Sequence, residues 1–138
     1  LNSRKALRIA IVVFWLSQAI GLLISYPLES DLPSHLQQYI AWDMEQDLSQ
    51  WQPVVIIFGL LSIVAIFIGS IGLFVFREWG RSLFVISWGV LLIISPFLGP
   101  TVEHGVVSFF SYLGTLSTGV VLGIAFFTDA IKSNPRVA

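Results

Sequence analysis

The side chains best suited to chemistry in this 138-residue chain lie outside its apolar stretches. His35, Glu103 and His104, with Asp43 and Asp47 one helical turn apart, offer the nitrogen and oxygen donors of a divalent-cation site. Through histidine protonation the same group would act as a pH sensor. The pattern is weak. No H-E-x-x-H occurs, and Asp43-x-Glu45-x-Asp47 lacks the glycine turn of an EF-hand loop and would alternate faces on a helix. Asp43, Glu45 and Asp47 therefore read as a solvated acidic cap, and no metal site is assigned. The absence of cysteine excludes disulfides, thiolate metal sites and cysteine nucleophiles. No Ser–His–Asp set, phosphate-binding loop or pair of buried carboxylates can be assembled from local spacing, so the chain reads as a non-enzyme with no cofactor.

A second group of polar side chains sits inside the apolar stretches. Gln18, Ser62, Thr115 and Thr118 fall near the middle of their segments, with Trp88 somewhat nearer one end. An amide in hydrocarbon is costly unless paired, so Gln18 should meet one of these neighbours. Two readings are open for the Gln18, Trp88 and Thr118 group: an interhelical hydrogen bond, or a pocket for a lipid, quinone or other hydrophobic ligand. No charge lies in mid-segment, which disfavours the proton relay of a coupled carrier.

Small residues recur at helical spacing in three segments. They are Ser17, Gly21 and Ser25; then Ser62, Ala65, Gly69 and Gly72; then Ser111, Thr115, Gly119 and Gly123, the last two forming a G-x-x-x-G. Such faces let helix backbones approach closely, within one bundle or against a partner, and the last segment is the more suitable for a partner.

These positions need helices to hold them. Hydrophobic residues make up 56% of the chain and charged residues 11%, against roughly 25% charged in soluble domains. The mean hydropathy is +0.87. With 7 basic against 8 acidic residues there is no positive excess for a phosphate backbone, so nucleic acid is excluded as a partner. Four charge-free stretches, Ile9–Leu28, Pro53–Phe76, Ser82–Val102 and Gly105–Thr128, each provide the ~20 residues that carry a helix across a bilayer. Runs such as Val54–Phe58 are apolar on every face, which favours helices over barrel strands. The first stretch is read as a retained anchor, because its apolar segment is too long for a signal peptide and no A-x-A-like site precedes Glu29.

With four spans, all the bases (Arg4, Lys5, Arg8, Arg77, Arg81, Lys132 and Arg136) fall on one side. Glu29, Asp31, Asp43, Glu45, Asp47 and Glu103 fall on the other with both histidines. The positive-inside rule then places both termini in the cytoplasm, most simply of a bacterial inner membrane. The loop Arg77–Arg81 forces a helical hairpin, with Gly80 suited to a helix C-terminus. In the longer loop 29–52, Ser34-His35-Leu36-Gln37 reads as a capping box. Leu32, Leu36, Ile40, Met44 and Leu48 follow at intervals of four, predicting a short amphipathic helix.

The expected architecture is all-α: a single-domain, up-down-up-down four-helix membrane bundle with that short helix in its first outer loop. The functional reading is a structural or accessory subunit in the lipid bilayer, docking to a membrane-protein partner. The alternatives are a small transporter or channel unit working as a homo-oligomer, or a lipid- or quinone-binding protein.

Overall fold

The computed structural model describes residues 2–45, 51–97 and 102–131 and is all-α. Helix α1 covers Ser3–Glu29, α2 Ser34–Glu45, α3 Gln52–Phe74, α4 Glu78–Ile94 and α5 Gly105–Phe127. Among the described residues, four helices (all but α2) are long and apolar enough to cross a membrane, consistent with a multi-span bundle.

Local chemistry sets the helix ends. Asn2 caps α1, its side-chain oxygen accepting from the Arg4 amide at 3.2 Å. The helix thus starts six residues before the charge-free stretch, with Arg4, Lys5 and Arg8 in its opening turns. Pro53 occupies the first turn of α3, where its missing N–H costs nothing. Helix α4 begins earlier than the charge-free stretch, at Glu78, and stops at Ile94 rather than reaching Val102. Pro96 cannot continue the ladder, and Ser95–Phe97 form one tighter 3-10 turn. His104 caps α5, its Nδ1 accepting from the Val106 amide at 3.3 Å.

Two local expectations are corrected. Gln37 does not close a capping box: its amide donates to the carbonyls of Ser30 and Leu32 at 2.9 and 2.7 Å, pinning the corner between α1 and α2. Pro33 takes the position before the helix and offers only a carbonyl, to the amides of Leu36 and Gln37. Gly80 does not terminate α3. That role falls to Phe76 in the left-handed region at φ 58°, with Arg77 N–H bonded to Gly72 C=O at 2.8 Å and Phe76 N–H to Leu73 C=O at 3.0 Å. This pair of bonds is a Schellman closure, usually made with glycine.

Within α2, Leu36, Tyr39 and Ile40 are half-buried, while His35, Trp42, Asp43 and Glu45 are exposed. Leu48 lies outside the described residues.

The long helices associate as two close pairs, α3 with α4 and α1 with α5, and the pairs touch each other much less. Buried positions recur every seven residues: Leu7, Phe14 and Gly21 in α1; Gly59, Ile66 and Leu73 in α3; Val107, Gly114 and Val121 in α5. That period keeps one face turned to a neighbouring helix. The pairs meet where Leu7, Ile11, Phe14, Leu73, Phe84 and Val121 are buried together. This is the end that carries the arginines. Arg4 and Arg8 lie over the Phe76 ring, 5.2 and 4.8 Å from its centroid, and Arg81 lies 4.9 Å from that of Phe126. Arg4 also donates to Ala130 C=O at 3.1 Å, so the start of α1, the end of α3, the start of α4 and the residues after α5 converge there.

Candidate functional site

Away from the arginine-bearing end the two pairs leave a cleft between them, a cavity of about 610 Å³. Helix α1 contributes Phe14, Trp15, Gln18, Ala19 and Leu22; α3 contributes Ile63 and Ile66; α4 contributes Trp88 and Leu91. Among the described residues, no charged one lines it. Aromatic rings dominate one wall, with Phe14 edge-on to Trp15 at 5.1 Å and to Trp88 at 6.3 Å between centroids. Gln18, Ala19, Leu22 and Ile63 are exposed, so the cleft opens on the flank of the bundle.

The polar groups here differ sharply in how they are satisfied. Trp15 donates its indole N–H to Ser70 Oγ at 2.9 Å, a bond from α1 to α3. The indole N–H of Trp88 is buried and finds no acceptor among the described residues. Gln18 has no hydrogen-bond partner among the described residues, and its amide nitrogen lies against Gly114 of α5, in the space that a Cβ there would fill. Gln18 and Trp88 are therefore brought to one cleft without bonding to each other. Thr118 is not part of the cleft lining: it is buried and donates to Gly114 C=O at 3.0 Å within its own helix. Ser62, Ser87 and Ser117 likewise donate to carbonyls four residues back, and Thr115 to Ser111 C=O.

A second, polar cavity of about 250 Å³ lies along the α1–α5 seam. Ser17, Gln18, Gly21, Leu22, Ser25, Glu103, Val107 and Ser111 line it, so Gln18 and Leu22 border both spaces. Its polar lining runs from Glu103, beside the start of α5, only as far as Ser17 and Gln18 midway along α1.

The small residues separate by face. Ser17 and Gly21 are buried and Ser25 half-buried, with Gly21 set against Phe110 of α5. Gly69 and Gly72 are buried against α4: a Cβ on Gly69 would lie 2.8 Å from the Phe84 nitrogen, and one on Gly72 2.7 Å from the Gly80 Cα. Ser62 is buried and Ala65 half-buried on the same helix. Of the four small residues singled out in α5, Ser111 alone turns toward α1, where Gly114 also packs against Ser17 and Gln18. Thr115 and Gly119 are exposed, Gly123 is half-buried, and a Cβ built on either glycine meets nothing within 4 Å.

Of the metal candidates, His35 is exposed on α2, His104 is engaged in capping α5, and Glu103 accepts from the Ser108 hydroxyl at 3.3 Å. Among the described residues no three His, Asp or Glu side chains group into a metal site. Asp43 and Glu45 are exposed near the end of α2, and Asp47 lies outside the described residues.

Gly114 was not singled out by residue type and spacing. Its signal is the seven-residue interval Val107–Gly114–Val121, which a search for small residues four apart passes over. No family model, curated protein or solved structure matches this chain.

Proposed function

We propose that this chain is a non-enzymatic accessory subunit of a bacterial inner-membrane assembly, seated against a helix of a partner membrane protein through the open face of α5. The observation that carries this reading is the open space over Gly119 and Gly123, which no described residue fills, on a helix whose Gly114, Ser117 and Thr118 are buried inside the bundle. In lipid there is little hydrophobic drive between helices, so close backbone approach at glycines is a principal source of association. Tyr112, Leu116 and Val120 stand exposed beside the glycines and supply the side chains that would clasp an incoming helix. In this reading the helices cross in alternating directions with both termini cytoplasmic, the orientation that the positive-inside rule favours for the arginine-bearing end. Exposed Asp43 and Glu45 then form an acidic cap on the periplasmic side.

Extraction from the native membrane in mild detergent, followed by native mass spectrometry, tests the reading. The expected species contains the 15.3 kDa chain with a different membrane protein. Gly119→Leu and Gly123→Leu should release that protein, while Gly89→Leu, at another open glycine on α4, should retain it. A chain that stays monomeric, or pairs only with itself, overturns the proposal.

A further inference from the structure

We infer that the cleft between the two helix pairs binds a neutral quinone-class lipid, a flat conjugated ring bearing carbonyl oxygens on an aliphatic tail. The site is separate from the α5 docking face and does not depend on it, though it does rest on the four helices spanning a bilayer.

Three observations select this chemistry. The first is a free donor. Trp88 holds a buried indole N–H with no acceptor among the described residues, beside a Trp15 whose own N–H is satisfied by Ser70. Indole N–H only donates, so its complement is an acceptor such as a carbonyl oxygen. Trp88 itself lines the cavity. Gln18 also lines the cleft, with its amide nitrogen turned against Gly114 of α5.

The second is the wall. Phe14, Trp15 and Trp88 meet edge to face and leave ring surfaces against which a planar ring can lie. Among the described residues the lining carries no charge, so a lipid with a charged headgroup finds no counter-ion there.

The third is depth. Gln18 stands ten residues after Arg8 and eleven before Glu29, about 15 Å from each charged boundary at the helical rise. That is the middle of a ~30 Å hydrocarbon core. Phospholipid ester carbonyls lie at the interface and do not reach it, whereas a neutral quinone moves freely through the core. The exposed Leu22 and Ile63 leave the flank open for such a molecule to enter sideways.

The test uses the full chain in detergent micelles titrated with decylbenzoquinone, read by quenching of tryptophan fluorescence. Saturable quenching is expected. Decylbenzene, of similar shape but without carbonyls, should displace the quinone only at tenfold or higher concentration, and excess dioleoylphosphatidylcholine should not displace it. Trp88→Phe should weaken binding about tenfold. Ala19→Phe, which fills the cleft from an exposed position, should weaken it at least as much; circular dichroism should show both variants folded. Non-saturable quenching, equal competition by decylbenzene or by the phospholipid, or full affinity in a folded Trp88→Phe or Ala19→Phe variant would each overturn the assignment. Should Trp88→Phe fail to fold, Ala19→Phe decides the matter alone.

Discussion

Gly72 and Gly80 lie backbone to backbone across the α3–α4 contact, so that a Cβ on Gly80 would come within 2.7 Å of the Gly72 Cα. Neither side can yield, because the opposing atoms belong to main chain on both helices. Gly80→Ala should therefore destabilise the protein by about 1–3 kcal/mol, the usual range for overpacking. Gly89→Ala on the same helix meets nothing within 4 Å and should be neutral or slightly stabilising, since alanine is the better helix former. Thermal unfolding of the two variants in one detergent reads the contrast directly.

Gly69 and Gly114 form a second contrasting pair. A Cβ on Gly69 strikes the Phe84 backbone, whereas on Gly114 it strikes the free end of the Gln18 side chain. Gly69→Ala should cost about 1–3 kcal/mol. Gly114→Ala should leave stability within roughly 1 kcal/mol of the parent, the helix-propensity gain offsetting a local shift, and should push the Gln18 amide off α5. Unfolding midpoints give the first comparison. A change in decylbenzoquinone affinity for Gly114→Ala, without a change in midpoint, reports the second.

Phe76 holds a left-handed backbone at φ 58° while its ring lies beneath Arg4 and Arg8. Phe76→Ala loses the ring and keeps the backbone penalty, whereas Phe76→Gly loses the ring and relieves it. The glycine variant should therefore be the more stable of the two by about 1–2 kcal/mol. Equal stability of the two would mean that the Schellman closure is not maintained in the membrane-extracted protein.

The Trp15–Ser70 hydrogen bond joins α1 to α3 where the two pairs otherwise touch little. Hydrogen bonds between membrane helices average about 0.6 kcal/mol and reach about 1.7. A double-mutant cycle with Trp15→Phe and Ser70→Ala should give a coupling in the upper part of that range, because Ser70 is only 1% exposed. A coupling near zero would show that the pairs are held by the apolar contacts around Phe14 and Phe84 alone.

The helices were legible in the sequence because apolar length and charge placement are global signals, and a few residues of error at the ends do not disturb them. The ends themselves depend on caps and on charged residues that extend a helix beyond its apolar part, as at Ser3 and Glu78. Small-residue faces were harder to read. Residues four apart advance by about 40° per step on a helix of 3.6 residues per turn. A run from Ser111 to Gly123 therefore winds off the α1-facing side, and its two ends look in different directions. Pairing was legible only in part: the tight Arg77–Arg81 loop announces the α3–α4 hairpin, but nothing in the order of segments says that the first long helix prefers the last. The cleft and its unsatisfied Trp88 follow from that pairing, so residue types could suggest the Gln18 and Trp88 neighbourhood but could not exclude Thr118 from it.

The partnership of α1 with α5 also fixes a timetable. The α3–α4 hairpin can close as soon as its two helices have been made, since they are joined by a tight turn. Helix α1 has to wait while about 75 further residues are synthesised, on the order of 4–15 s at common elongation rates. Throughout that interval its glycine- and serine-bearing face is available to any other helix nearby. Until the last helix emerges, α1 has only its sparser contacts with the α3–α4 pair to hold it.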